Sequence, residues 1–267
     1  MSSANLLRVQ STPSSRSLMK ILNKTREIIG GREAEPHSRP YMAYLKGQTK
    51  TCGGFLVQED FVLTAAHCDD GDITVLLGAH NVRQDEETQQ RVSVRQKIPH
   101  PKYNKKSQEN DLMLLQLAEP AELTDAVDTI PLPKTSRTVE PGSVCSVAGW
   151  GKTSRYASTS TSTLHEVELE VMSDETCQKD WLLRLYYKPL KMMCVGNPEE
   201  RKTSFSGDSG GPLVCDEVVQ GIVSLGKSDG SPPRVFTKVS AYIPWIKTTM
   251  RGLSSLGSHA ESPVSLH

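Results

Sequence analysis

The stretch Lys202–Cys215 reads KTSFSGDSGGPLVC. Its centre packs glycine around one aspartate and one serine, Gly207-Asp208-Ser209-Gly210-Gly211. Glycine at this density weakens a strand or a helix unless the backbone must turn sharply or something must approach it closely. Two readings are open: a Gly-rich hairpin with a solvated Asp208, or a loop that presents Ser209 for chemistry.

Two other segments decide between them. LTAAHC supplies His67, and NDLMLL places Asp111 just ahead of an apolar run. A serine hydroxyl is a poor nucleophile near neutral pH. It needs a base within hydrogen-bond reach, and the base needs an orienting group. His67 suits the base and Asp111 the group that fixes its tautomer. The backbone N–H groups of Gly207 and Ser209 suit an oxyanion. Each residue alone is weak evidence: His67 beside a cysteine reads as structural, and Asp111 as a turn cap. Together, in the order His, Asp, Ser, they are specific.

The rest of the chain fits a β-rich domain. The 267 residues are enough for one large domain or two small ones with a real core. Short Val/Ile/Leu runs are separated by Gly, Pro, Asn and Ser clusters, which predicts many short strands. No stretch approaches the roughly 18 to 20 apolar residues of a membrane span. The chain is formally neutral, but residues 1–27 hold five Lys/Arg against Glu27 alone, and residues 28–251 are net −3. Nothing in that balance predicts nucleic-acid binding. No repeat stands out.

Composition changes at Ile28. Residues 1–27 are Ser-rich without apolar periodicity, which predicts a disordered or processed leader. They lack the apolar core of a secretory signal. The sequon at Asn23-Lys24-Thr25 falls in this part. A linker is expected near 121–134, in a region that continues into the Pro- and Ser-containing run 130–143. Ser240 suits the N-cap of a final helix carrying Tyr242, Ile243, Trp245, Ile246 and Met250. Residues 252–267 are expected to form a loose tail.

Six cysteines, at 52, 68, 145, 177, 194 and 215, include no Cys-x-x-Cys pair, so a zinc cluster is not expected. An even count along a β-rich chain favours disulfides and an oxidising compartment over buried reduced thiols, and leaves the pairing open.

From Ile28 to about Arg251 the chain resembles the chymotrypsin-type serine proteases, on the His67, Asp111 and Ser209 motifs and on IIGG at 28–31. The resemblance implies an all-β fold of two antiparallel six-stranded barrels with a C-terminal helix. The site would lie between the barrels, with His67 and Asp111 from the first and Ser209 from the second. It implies the pairs Cys52–Cys68, Cys145–Cys215 and Cys177–Cys194. It implies a new amine at Ile28, released by cleavage, that pairs with Asp208 and orders the oxyanion hole. Ser224, Leu225 and Gly226 match the strand that pairs with substrate backbone, with leucine where relatives carry an aromatic residue.

Many relatives bridge the specificity pocket with a cysteine where this chain has Phe205. With PHSRPYMAYL at 36–45, that resembles the granzyme, cathepsin G and mast-cell chymase branch. Thr203 stands where trypsin-like relatives hold an aspartate, so Lys or Arg preference is not expected. Arg234, in SPPRVF, matches the place that in this branch lies on the far pocket wall and often sets its charge, so the resemblance implies, by the pattern of granzyme B, a preference for Asp at P1, the residue whose carbonyl is cut. The competing expectations are Phe or Met at P1, with Arg234 turned outward to solvent, a non-catalytic binder on the same scaffold, and an undelivered zymogen. No metal or cofactor is expected. Protein substrates, serpin-type inhibitors and granule proteoglycan are the implied partners of a monomer. The implied location is a secretory granule and a cytolytic, pro-apoptotic role, in tension with the leader and with the net negative domain.

Overall fold

The computed structural model describes residues 28–134 and 139–257. The leader with its sequon, and residues 258–267 of the tail, lie outside the described residues.

Among the described residues, thirteen strands build two β-sheets. The first is a closed barrel of β2 (Met42–Lys46), β3 (Thr51–Gln58), β4 (Phe61–Thr64), β7 (Met113–Leu117), β6 (Gln90–Pro99) and β5 (Thr74–Leu77), in that spatial order. Every neighbouring pair is antiparallel. Strands β4 and β7, FVLT and MLLQL, are buried along their whole length, so they read as continuous apolar runs. Strand β6 alternates half-buried and exposed residues over its first five positions, the period-2 pattern of a strand with one wet face.

The second sheet runs β1 (Arg32–Glu33), β9 (His165–Glu170), β8 (Val144–Gly149), β11 (Pro212–Cys215), β12 (Val218–Gly226), β13 (Arg234–Lys238) and β10 (Met192–Val195). Its far strands meet just beyond their ends. Val171 bridges Val195, and the Gly196 N–H donates to the Glu170 carbonyl at 2.7 Å. Six strands therefore form a second ring, with the two-residue β1 added at its edge. The expected two barrels are present.

Phe55, Leu63, Leu77 and Leu114 fill the first barrel; Val147, Leu213, Val223 and Phe236 fill the second. Burying each such side chain contributes about 1.5–3 kcal/mol. Trp150, Ile222 and Ile246 join the first barrel's cluster, so one apolar core crosses the seam. The connection between barrels is strapped to both: Ile130 N–H donates to Leu56 O, and Pro131 O accepts from Val219 N–H. The six cysteines form three disulfides, Cys52–Cys68, Cys145–Cys215 and Cys177–Cys194.

A short helix α1 (Asp174–Lys179) precedes β10, and helix α2 (Ile243–Gly257) is the last described element. Two expectations are corrected here. Ser240 lies inside a 3-10 turn, Val239–Tyr242, that leads into α2, so it is no N-cap. The helix also continues six residues past Arg251, because Leu253 packs on the core and holds the extra turn.

Candidate active site

Three segments converge at the seam. His67 lies in the 3-10 turn Ala66–Cys68, just past the end of β4, and the Cys52–Cys68 disulfide ties that turn to β3. Asp111 precedes β7 and is fully buried. Its Oδ2 is 2.7 Å from His67 Nδ1, and its Oδ1 accepts the His67 backbone N–H at 2.9 Å. Ring and backbone are thus gripped by one carboxylate, which leaves His67 Nε2 for other partners. A buried carboxylate is costly unless its oxygens are hydrogen-bonded. The remaining bond is supplied by Ser224, whose hydroxyl donates to Asp111 Oδ2 at 2.5 Å.

The second barrel also fixes the backbone at Asp111. Thr237 Oγ1 donates to the Asp111 carbonyl at 2.8 Å, and the Tyr242 hydroxyl donates to Asn110 Oδ1 at 3.1 Å. Asn110 itself has φ +57°. Three side chains from beyond the seam therefore fix the Asn110–Asp111 corner.

Ser209 sits in the loop before β11. Its carbonyl accepts the Gly53 N–H at 2.8 Å, which docks the loop on β3 one residue from the Cys52–Cys68 bridge. Gly207 has φ +103°, and a Cβ there would lie 2.7 Å from Gly151 Cα. Any side chain at 207 would thus meet backbone, and this answers why the motif is glycine-rich. The N–H groups of Gly207 and Ser209 have no protein acceptor among the described residues. Both remain available to an oxygen bound beside Ser209.

Asp208 points the other way, into the second barrel, fully buried. Its oxygens accept the Gly151 N–H at 2.9 Å and the Phe205 N–H at 2.8 Å. Burial pushes its carboxyl up to about 6, against the lowering effect of those two N–H groups and of the Arg234 charge. Asp208 is therefore no solvated turn residue. The turn Ile28–Gly30 meets the segment ahead of this loop, its Ile29 carbonyl accepting the Thr203 N–H at 3.0 Å.

Arg234 faces inward. It is 9% exposed and pairs across the ladder with Gly226. Its Nη1 donates to the Lys227 carbonyl at 3.3 Å, and its Cζ lies 6.0 Å from the centre of the Phe205 ring. Its Nε is buried without a hydrogen-bond partner among the described residues, as is the Ser204 hydroxyl. Burial lowers the Arg234 pKa to about 10, opposed by Asp208 and Asp229, so the group is cationic at neutral pH. Thr203 is buried and donates its hydroxyl to the Ser204 carbonyl. Leu225 is half-buried on the strand opposite β13.

Two contacts escaped the sequence reading. Ser224 was assigned to substrate binding alone, yet its hydroxyl holds Asp111 across 113 residues of chain. Lys227 pairs with Asp180 at 3.0 Å and also donates to the Pro232 carbonyl at 2.9 Å. No local pattern signals either one. Among the described residues, the one grouping of three metal-ligand types is Cys52, His67 and Cys68, and its sulfurs are joined in a disulfide with no thiolate to offer.

Comparisons with known proteins identify the family. The trypsin family model matches residues 28–246. Human granzyme B is 55% identical over 84% of this chain and 92% of its own length. Human cathepsin G is 51% identical over 89% of this chain and 92% of its own. The solved structure of a protein named GrC superposes with a TM-score of 0.80 at 48% identity, covering 83% of this chain and 99% of that one. The chain belongs to the trypsin family, as a chymotrypsin-type serine endopeptidase of the granzyme and cathepsin G kind.

Proposed function

We propose that this endopeptidase cuts after aspartate, through an acyl-enzyme on Ser209. Ser209 Oγ attacks the scissile carbonyl carbon while its proton passes to His67 Nε2. Asp111 holds the imidazole and stabilises the imidazolium. The resulting oxyanion accepts from the Gly207 and Ser209 N–H groups. The C–N bond then breaks, and the leaving amine takes the proton from His67. Water, deprotonated by the same imidazole, releases the acid and restores Ser209. Substrate residues ahead of the cut pair with Ser224–Gly226 as an added strand.

The observation that carries the aspartate reading is the inward Arg234 guanidinium, buried with its Nε unpartnered. A P1 carboxylate supplies the missing acceptor and a countercharge in a dehydrated site, where such a pair is strong. Thr203 stands six residues before Ser209, the place where trypsin-like relatives hold an aspartate, which supports a pocket base without an acid.

Activation follows from Asp208. Cleavage before Ile28 creates an ammonium that pairs with this buried carboxylate and sets the Gly207–Ser209 loop. The biological setting that fits is a secretory granule of a cytolytic cell, a pro-apoptotic role, serpin-type inhibitors and storage on proteoglycan.

The test is a pair of phosphonate probes, one with an Asp-like and one with a Phe-like P1 group, applied to protein beginning at Ile28. Covalent labelling at Ser209 by the Asp-like probe, abolished in Ser209→Ala, supports the reading. Labelling by the Phe-like probe alone refutes it.

A further inference from the structure

A second cleft, of about 330 Å³, opens on the outer wall of the first barrel. Tyr44, Leu76 and Arg91 stand in register across β2, β5 and β6, and Lys46 stands opposite Thr74 on the same side of the ladder. Tyr44, Leu76 and Val82 give the cleft an apolar part; Lys46, Arg83 and Arg91 surround it with three exposed cations. None of these cations has an ion-pair partner among the described residues, and no carboxylate lines the cleft. The domain is net negative over residues 28–251, so this concentration of unpaired positive charge runs against its overall balance.

The cleft borders the loop that carries Ser209. Thr51 lines it, two residues from Gly53, whose N–H holds the Ser209 carbonyl. Ser160 lines the other side, and its Oγ lies 3.1 Å from where a Cβ on Gly207 would fall. Thr161, also in the lining, donates its N–H to the Gly151 carbonyl. The cleft therefore starts beside the loop that carries Ser209, and none of Ser224, Leu225 and Gly226 lines it. A substrate whose N-terminal half pairs with Ser224–Gly226 sends its C-terminal half this way.

We propose that this cleft receives an acidic segment of the protein substrate, a few residues C-terminal to the cut. The proposal rests on the Ser209-centred reading of the groove and is independent of the P1 preference. Three unpaired cations raise the local concentration of an acidic chain and speed its encounter. The apolar part favours a peptide over a sulfated polysaccharide, which has no hydrophobic side chains to set on Tyr44, Leu76 and Val82.

The experiment uses two peptides that are identical up to the scissile bond. One carries Asp-Glu-Asp-Glu at the third to sixth positions after it, and the other carries Gln-Ser-Gln-Ser. At about 20 mM salt the acidic peptide is expected to be cut roughly tenfold faster in kcat/KM, mostly through KM, with the advantage shrinking as salt screens the charges. The triple variant Lys46→Gln, Arg83→Gln, Arg91→Gln is expected to lose that advantage while cutting the neutral peptide at the parent rate. Equal cutting of the two peptides by the parent enzyme overturns the proposal, as does an advantage that persists in the triple variant. Heparin binding that is lost in the triple variant, with the two peptides cut equally, makes the cleft a polysaccharide site and also overturns it. Turnover of the neutral peptide separates this outcome from failure of the catalytic reading.

Discussion

The Arg234 guanidinium lies against the backbone of Gly226: a Cβ at 226 would fall 2.5 Å from Arg234 Cζ and 2.7 Å from its Nε and Nη1. The two residues face each other across the β12–β13 ladder, so the strand proposed to bind substrate backbone also packs the cation proposed to set P1 preference. Gly226→Ala must displace the guanidinium. The expected result is a loss of cleavage after Asp of about tenfold or more, since a 1 Å misplacement at a reacting site costs that much readily. Steady-state kinetics on a P1-Asp peptide, with circular dichroism to verify folding, checks this; unchanged kcat/KM would contradict it.

Lys227 supports the same cation from behind. Its carbonyl accepts from Arg234, and its ammonium clamps Asp180 and the Pro232 carbonyl. Asp180 also accepts the Leu182 and Leu183 N–H groups at 3.0 Å, so the pair ties Lys227 and Pro232 to the segment after α1. Both side chains are mostly buried, 16% and 11% exposed. Lys227→Met leaves Asp180 unpaired and is expected to reduce selectivity for Asp over Phe at P1 roughly fivefold to thirtyfold, the equivalent of ~1–2 kcal/mol. Lys227→Arg should restore most of it. A selectivity ratio that does not move would show the pair to be structural alone.

The grip on Asp111 predicts graded losses. Asp111→Asn presents an amide to His67 Nδ1 and favours the wrong tautomer, so kcat is expected to fall by about four orders of magnitude. Ser224→Ala removes one donor to a buried carboxylate and is expected to cost about tenfold, in line with a charge-assisted hydrogen bond of ~1.5–3 kcal/mol softened by relaxation. Measured kcat values for the two variants give the order; a Ser224→Ala loss equal to that of Asp111→Asn would contradict it.

Asp208 gives a pH dependence with a definite sign. Its carboxyl is raised to about 6 by burial, above its ordinary value of 3.8. A raised carboxyl binds its proton more tightly in the folded state, so its contribution is fully present below pH 3.8 and is lost as pH rises through about 6. In the uncleaved chain, the melting temperature relative to Asp208→Asn is therefore expected to fall between pH 4 and 6.5. After cleavage at Ile28 the new ammonium should remove that fall. Calorimetry on both forms checks the sign, and a relative stability that rises over this interval in the uncleaved chain would refute it.

Much of this was legible in the residues. The glycines of Gly207-Asp208-Ser209-Gly210-Gly211 demanded a tight turn, and the Gly151 backbone beside Gly207 is the reason. His67 and Asp111 were legible because chemistry at a serine needs both. The less legible features were contacts that span the seam. Ser224 to Asp111, Thr237 to the Asp111 carbonyl and Tyr242 to Asn110 join residues more than 110 positions apart, beyond any local pattern. The end of α2 is not legible because a polar run says little about a helix held by one partly buried side chain, Leu253, in its last turns.

The central claim is that Arg234 selects aspartate. The direct measurement is kcat/KM for peptides differing only at P1, with Asp, Phe, Met or Lys, on protein beginning at Ile28 and on its Arg234→Glu variant, with Ser209→Ala as the blank. The account predicts cleavage after Asp, lost in Arg234→Glu, with about a hundredfold or greater change when the buried charge is reversed. Cleavage by the parent protein after Phe or Met in preference to Asp would contradict it.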